Sequence, residues 1–177
     1  MIRITGGKNR SRLLETPNVP TTKPTMDKVR AGVFSALGSS IEGANVLDLF
    51  AGSGSYGFEA LSRGAKQVTF VDSSVVATLT IKKNVAQLKE ENVTIIQDDV
   101  LSFLEQNHQE FSIIFIDPPY KLDVYETVVK TLIERNFLSK DAIIVLESER
   151  ELNIDVSLFS KAKLYKYGLA KVYILRK

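Results

Sequence analysis

Asp117-Pro118-Pro119-Tyr120 closes the apolar run Phe111 to Ile116 and sets a carboxylate, two conformationally fixed carbonyls and an aromatic ring at one strand end. Both prolines lock φ and lack an N–H, and each drives the residue before it toward extended geometry. The backbone is therefore stiff where it leaves the sheet. Such a clamp suits an exocyclic amino group on a nucleobase: Asp117 can accept one amino hydrogen, the Pro118 carbonyl the other, and Tyr120 can stack on the ring. The plainer alternative is a proline-stiffened turn whose Asp caps a helix and whose Tyr fills a gap.

Other acids stand at comparable places. Gly52-Ser53-Gly54-Ser55-Tyr56-Gly57 fits a G-x-G-x-x-G pattern, which alone is equally compatible with a dinucleotide. Asp48, four residues before Gly52, would repel a pyrophosphate and suits a ligand carrying an ammonium group. That favours S-adenosylmethionine over a nicotinamide dinucleotide. Asp72, twenty residues after Gly52, can take both hydroxyls of a ribose. Asp99 can accept a hydrogen bond from an adenine amino group while Val100 covers the ring; its neighbour Asp98 is the lesser candidate. Each acid alone reads more simply as a helix cap. Four of them after four successive strands read as one site.

The elements that must position these groups are legible in the apolar periodicity. Val46–Phe50, Gln67–Val71, Val93–Gln97, Phe111–Ile116 and Ala142–Leu146 predict strands. Helices are predicted from Tyr56 to Ser62, from about Val75 to Leu88 with Ser73 or Ser74 as cap and Val75, Val76, Leu79, Val85 and Leu88 as its apolar residues, around Leu101 and Leu104, and from Val124 to Glu134. Strands that are apolar throughout and separated by helices imply a parallel sheet covered on both faces, a doubly wound α/β domain. Lys161–Ile174 alternates around Gly168 and predicts a hairpin closing one sheet edge. At the other end, Ile2–Ile4 and Arg12–Leu14 predict a small hairpin. A proline-rich link from Thr16 to Pro24 and a helix from Met26 to Leu37, capped by Thr25 and with Val29, Val33, Phe34 and Leu37 on one face, follow. Tyr56 is expected to pack under the glycine loop rather than rest on a ligand.

Composition bounds the chemistry. A chain of 177 residues, 44% hydrophobic and 25% charged, holds one substantial core with a small appendage. No apolar run approaches the roughly 20 residues that span a bilayer, and no export signal is visible, so a soluble cytoplasmic protein is expected. Zero cysteines and the lone His108 exclude a disulfide framework, a thiolate zinc site and a cysteine nucleophile, and make a histidine metal centre improbable. Net charge is +2, yet residues 1–30 carry +5, residues 161–177 carry +6 and the middle carries −9. Basic ends on an acidic body suggest contact with a polyanion, against the alternative of a merely solvated face.

Leu47-Asp48-Leu49-Phe50-Ala51-Gly52-Ser53-Gly54, the run Gly57–Ala65, and Asp117-Pro118-Pro119-Tyr120 resemble the bacterial 16S ribosomal RNA guanine-N2 methyltransferases. Arg3-Ile4-Thr5-Gly6-Gly7, Arg10-Ser11-Arg12-Leu13 and Lys23–Arg30 are similar to that family's basic hairpin and its Arg-Pro-Thr helix start. The resemblance covers most of the chain. It departs at Asp72, where Glu is common, at the bulky Tyr56, and at Ser11 and Leu13 near the hairpin tip.

The resemblance implies a Rossmann-like, mostly parallel seven-stranded sheet with residues 1–24 as an RNA-contacting appendage and residues 25–177 as the methyltransferase domain. It implies S-adenosylmethionine as cofactor, leaving as S-adenosylhomocysteine, with contacts from Asp48, Phe50, Gly52, Gly54, Asp72, Ser73, Asp99 and Val100 and no metal. Asp117, Pro118 and Tyr120 would carry the transfer to a guanine N2, by family analogy guanine 966. Arg3, Lys8, Arg10, Arg12, Lys23, Thr25, Lys28 and Arg30 would hold RNA phosphates. The implied partner is 16S ribosomal RNA or the assembling small subunit, bound by a monomer without a membrane. A DNA adenine-N6 or cytosine-N4 methyltransferase, a nicotinamide-dependent reductase, and an RNA-binding assembly factor on a methyltransferase scaffold remain as alternatives.

Overall fold

The computed structural model describes residues 1–17, 24–119 and 122–177. The chain opens with an antiparallel hairpin of β1 (Ile2–Arg3) and β2 (Leu13–Leu14), followed by α1 (Pro24–Leu37). This helix starts two residues before the expected Met26, because proline fits the first turn of a helix, where its missing N–H has no partner to lose. Val29, Val33, Phe34 and Leu37 form its buried stripe as predicted. Full burial of each contributes about 1.5–3 kcal/mol, so packing rather than surface charge holds the helix down.

A regular alternation follows: β3 (Asn45–Leu49), α2 (Ser55–Ser62), β4 (Gln67–Asp72), α3 (Val75–Leu88), β5 (Val93–Gln97), α4 (Val100–Gln106), β6 (Phe111–Ile116), α5 (Tyr125–Glu134) and β7 (Leu138–Ser148). The terminal hairpin of β8 (Lys161–Tyr167) and β9 (Ala170–Arg176) closes the sheet. Strand order is β5-β4-β3-β6-β7-β9-β8, with β3 to β7 mutually parallel and β9 antiparallel to β7. From β3 the chain moves outward to β5 and then returns to the other side with β6. The crevice between β3 and β6 is thus the switch point where open α/β sheets place their ligands.

Strand alternation divides the core in two. Val46, Phe70, Phe115 and Val145 face α1, α2 and α3. Leu47, Ile114, Ile116 and Leu146 face α4 and α5. Ile2, Ile4 and Leu14 of the N-terminal hairpin belong to the first of these clusters. No helix among the described residues is long and apolar enough to cross a membrane.

Two elements differ from the sequence expectation. β7 runs from Leu138 to Ser148 instead of Ala142 to Leu146, since Leu138 pairs with Phe111 and Glu147 and Ser148 pair with β9. In α3, Val75, Val76 and Leu79 face solvent, each more than half exposed. The inward stripe is Ala77, Ile81, Asn84 and Leu88. Asn84 is buried because it takes the Glu15 backbone N–H and donates to the carbonyls of Glu15 and Ser53. A polar residue on the inward face hides that stripe from a reading based on hydrophobicity.

Candidate active site

A cavity of about 400 Å³ opens beyond the carboxyl ends of the strands, within the size range usual for small-molecule sites. Phe50, Gly52, Asp72, Ser73, Asp99 and Val100 lie on its wall together with Asp117 and Pro118. The structure therefore brings together acids from the ends of β4, β5 and β6. Ile2, Met26 and Leu122, which the sequence reading did not single out, complete the apolar part of the wall.

The loop after β3 sets the floor. Phe50 adopts φ 58°, a left-handed conformation costly for a side chain of its size, and such strain concentrates at functional sites. Gly52 donates its N–H to Asp72 Oδ2 at 2.8 Å, and the other Asp72 oxygen takes the Ser74 N–H at 2.8 Å. Both oxygens keep a free lone pair, so the carboxylate is oriented and still able to accept. Asp99 caps α4, accepting the N–H groups of Leu101 and Ser102 at 2.9 and 3.1 Å. Capping and cavity lining coexist in this residue. Asp98 instead accepts the Asp99 N–H and is not on the wall.

Asp48 and Gly54 differ from the expectation that they meet the ligand. Asp48 is buried below the loop, and its Oδ2 accepts the Gly57 N–H at 2.9 Å. Burial pushes its pKa up to about 8 against that hydrogen bond, with the Asp72 charge adding to the rise. Gly54, at φ 76°, sits where a Cβ would lie 2.7 Å from Phe58 and 2.9 Å from Phe70. Gly54 lets helix and strand approach; it does not line the cavity. Tyr56 packs under the loop as expected, its ring centroid 4.7 Å from that of Phe115 and its hydroxyl bonded to the Glu147 carboxylate.

Asp117 follows β6 at the cavity edge. Burial raises its pKa well above the usual carboxylate range, and the charges of Glu147 and Asp48 raise it further. Glu147 is itself shifted upward by burial, opposed by the Tyr56 hydrogen bond and the Arg30 charge. Glu147 escaped the sequence reading, although it stands at a strand end as the other acids do. It directly follows the run Ala142–Leu146, the same signal that marks Asp117 after Ile116. Tyr120 lies outside the described residues.

The N-terminal cations separate into two groups. Arg3, Lys8, Arg10, Arg12 and Lys28 are exposed. Among them Lys8 pairs with Glu90 at 2.9 Å and Arg12 donates to the Gln87 carbonyl at 3.2 Å. Arg30 differs from the expectation of a phosphate contact. It is 3% exposed and holds the Arg3 carbonyl at 2.6 Å, Asp27 at 2.8 Å and Glu59 at 3.4 Å. Glu59, fully buried, also accepts from the Thr5 N–H and hydroxyl and from Arg63, tying hairpin, α1 and α2 together. Lys23 and the Thr25 side chain lie outside the described residues.

The family model described as Conserved hypothetical protein 95 matches residues 2–176. The Ribosomal RNA small subunit methyltransferase D of Escherichia coli is 39% identical over 150 residues, covering 85% of this chain and 76% of the relative. A solved structure, a putative methyltransferase yhhF from Escherichia coli, superposes with a TM-score of 0.89 at 34% identity, over 99% of this chain and 97% of that one. A Thermus thermophilus 16S rRNA N2 G1207 methyltransferase, solved with AdoMet and guanosine, shares the fold at a TM-score of 0.73 and 21% identity, over 92% of this chain and 45% of that one. The family model spans nearly the whole chain and the relative is 39% identical over most of it, so the chain belongs to the ribosomal RNA small subunit methyltransferase D family.

Proposed function

We propose that this protein transfers a methyl group from S-adenosylmethionine to the exocyclic N2 of one guanine in 16S ribosomal RNA, in the cytoplasm and as a monomer, during small-subunit assembly. One observation carries the reading: Asp117 and Pro118 share a cavity wall with Asp72 and Asp99. An amine clamp and a nucleoside cradle thus face the same space.

The cavity fits the donor. Asp72 suits ribose hydroxyls, Asp99 an adenine amino group, and the side chains of Phe50 and Val100 a flat base. A Cβ added at Gly52 would meet nothing closer than the Phe50 carbonyl oxygen at 4.0 Å, so backbone is open to the ligand there. S-adenosylmethionine, when bound, supplies an electrophilic methyl group. Asp48, buried beneath the loop, serves such a site by holding the Gly57 N–H rather than by touching the ligand.

Guanine N2 is a weak nucleophile because its lone pair is delocalised into the ring. Asp117 and the Pro118 carbonyl accept its two hydrogens and favour a pyramidal nitrogen, placing acceptors where positive charge develops. Prolines on both sides of the Pro118 carbonyl's peptide hold the clamp rigid, which supplies orientation without later reorganisation. Tyr120 stacks on the extruded base, and residues 1–24 hold the surrounding phosphates through Arg3, Lys8, Arg10 and Arg12. Labelled-methyl transfer to under-methylated small subunits, naked ribosomal RNA and DNA tests the assignment, with the product mapped by nuclease digestion and mass spectrometry. Label at a guanine N2 is the expected result, and Asp117→Ala should abolish it while cofactor binding persists. Label in DNA alone would refute the reading.

A further inference from the structure

Ile116 of β6 pairs with Leu146 of β7, so the residues that follow, Asp117 and Glu147, leave adjacent parallel strands at one level. Strand alternation sends both side chains to the face carrying Phe115 and Val145, beneath α1 and α2. Asp48 of β3, two residues beyond Val46, falls on the same face. Three carboxyl groups are thereby collected in one poorly solvated layer. Glu147 is 8% exposed and does not reach the cavity wall, so it acts on bound molecules only through a neighbour.

Its surroundings are fixed from several sides. Tyr56 of α2, 5% exposed, donates its hydroxyl to the Glu147 carboxylate, and its ring clusters with those of Phe34 and Phe115. Tyr125 of α5 donates to the Glu147 backbone carbonyl at 2.7 Å, holding the strand end. Arg30 of α1 is the cation whose field reaches Glu147, and it is already engaged by Glu59 and Asp27. Glu149 just beyond β7 and Asp117 beyond β6 add negative charge. β9 presents only apolar Val172 opposite. These contacts fix the Glu147 side chain from α2 and its backbone from α5.

We propose that Glu147, anchored by the Tyr56 hydroxyl, is a positioning residue that keeps Asp117 able to take up the proton released when an amine is methylated. The inference rests on the methyltransferase reading above. Methylation of an amine by a sulfonium donor breaks a sulfur–carbon bond, whose electron pair stays on sulfur. The amine lone pair forms the new nitrogen–carbon bond. The nitrogen is then cationic with one hydrogen in excess, and that proton passes to the Asp117 carboxylate and from there to solvent through the open cavity. A fixed negative neighbour makes Asp117 a stronger proton acceptor, which burial alone already makes it. The same pairing requires Asp117 to shed its own proton before each turnover, so activity rises with pH through the Asp117 titration.

The test follows Asp117 in the ligand-free protein by carbon-13 carboxyl NMR and, in parallel, the pH dependence of kcat. Glu147→Gln should move the Asp117 midpoint to lower pH by roughly one unit, and the rising limb of kcat with it. Glu147→Asp retains the charge and should leave both near their wild-type places, while Tyr56→Phe should move both in the glutamine direction by a smaller step. These two variants keep the test open if the glutamine variant does not fold. A folded Glu147→Gln protein with an unmoved Asp117 midpoint overturns the proposal, even if kcat has fallen at every pH. A moved midpoint in a protein whose wild type methylates no amine supports the coupling and overturns the functional reading beneath it.

Discussion

Asp48→Asn should stabilise the protein, increasingly so as pH rises. Asp48 is 3% exposed, and burial lifts its pKa to about 8, whereas the unfolded chain releases the same proton near about pH 3.9. A raised carboxyl pKa means the folded state still binds the proton where the unfolded state has lost it. The stabilisation from the neutral carboxyl is complete below about pH 4 and drains away as pH climbs through about pH 8. Within that window each pH unit costs about 1.4 kcal/mol. Between about pH 5 and about pH 7 the loss is roughly 3 kcal/mol, a large share of the 5–15 kcal/mol that holds a typical domain together. Asparagine does not titrate, and its carbonyl oxygen can still accept the Gly57 N–H that Asp48 Oδ2 holds at 2.9 Å. Urea unfolding followed by circular dichroism at several pH values between about 5 and 8 measures the difference directly. Glu147 and Asp117 titrate in both proteins, so subtracting the two curves leaves Asp48 together with the smaller change its loss makes at Asp117. The advantage of the variant should widen by roughly 1 kcal/mol per pH unit. Parallel stability curves, or an advantage that narrows with pH, would refute a neutral buried Asp48.

Glu59→Gln weakens the contacts that Glu59 makes with Arg30, Arg63 and Thr5 and leaves the 3%-exposed Arg30 short of a counter-charge. It should cost about 3–5 kcal/mol in urea unfolding, and limited proteolysis should show the N-terminal hairpin released first. Gly57→Ala places a methyl 2.2 Å from the Phe70 ring, and the overpacking should outweigh the helix-propensity gain, lowering stability by about 1–3 kcal/mol. Arg10→Ala with Arg12→Ala should weaken ribosomal RNA binding without altering the fold. The slope of log affinity against log salt should fall by about two at most, and an unchanged slope would remove these exposed arginines from the interface.

The element order, the glycine loop and the terminal hairpin were all legible along the chain, because apolar runs, capping residues and turn glycines are local signals. Asp72, Asp99 and Asp117 were legible as a set for the same reason: each directly follows or closes an apolar run. The stripe of α3 was not, since Asn84 is buried by hydrogen bonds to Glu15 and Ser53, residues 69 and 31 positions away. Arg30 read as one more cation of a basic N-terminus until α1 laid it against Glu59. Glu147 follows the run Ala142–Leu146 as Asp117 follows Phe111–Ile116, so its local signal was the same; what the chain did not show is that β7 continues through it and pairs it with Val172 of β9, more than twenty residues further on.

By itself, then, the order of residues determined which chemical groups stand at the carboxyl ends of the strands and which segments must surround them. Only the packed structure decided which of those groups reach the cavity. Asp48 turns under α2, Asp99 lines the wall while Asp98 does not, and Glu147 lies behind Asp117. The physical reason is that burial, and with it the affinity of a carboxylate for its proton, is a property of what distant segments bring alongside it, and no local pattern encodes that.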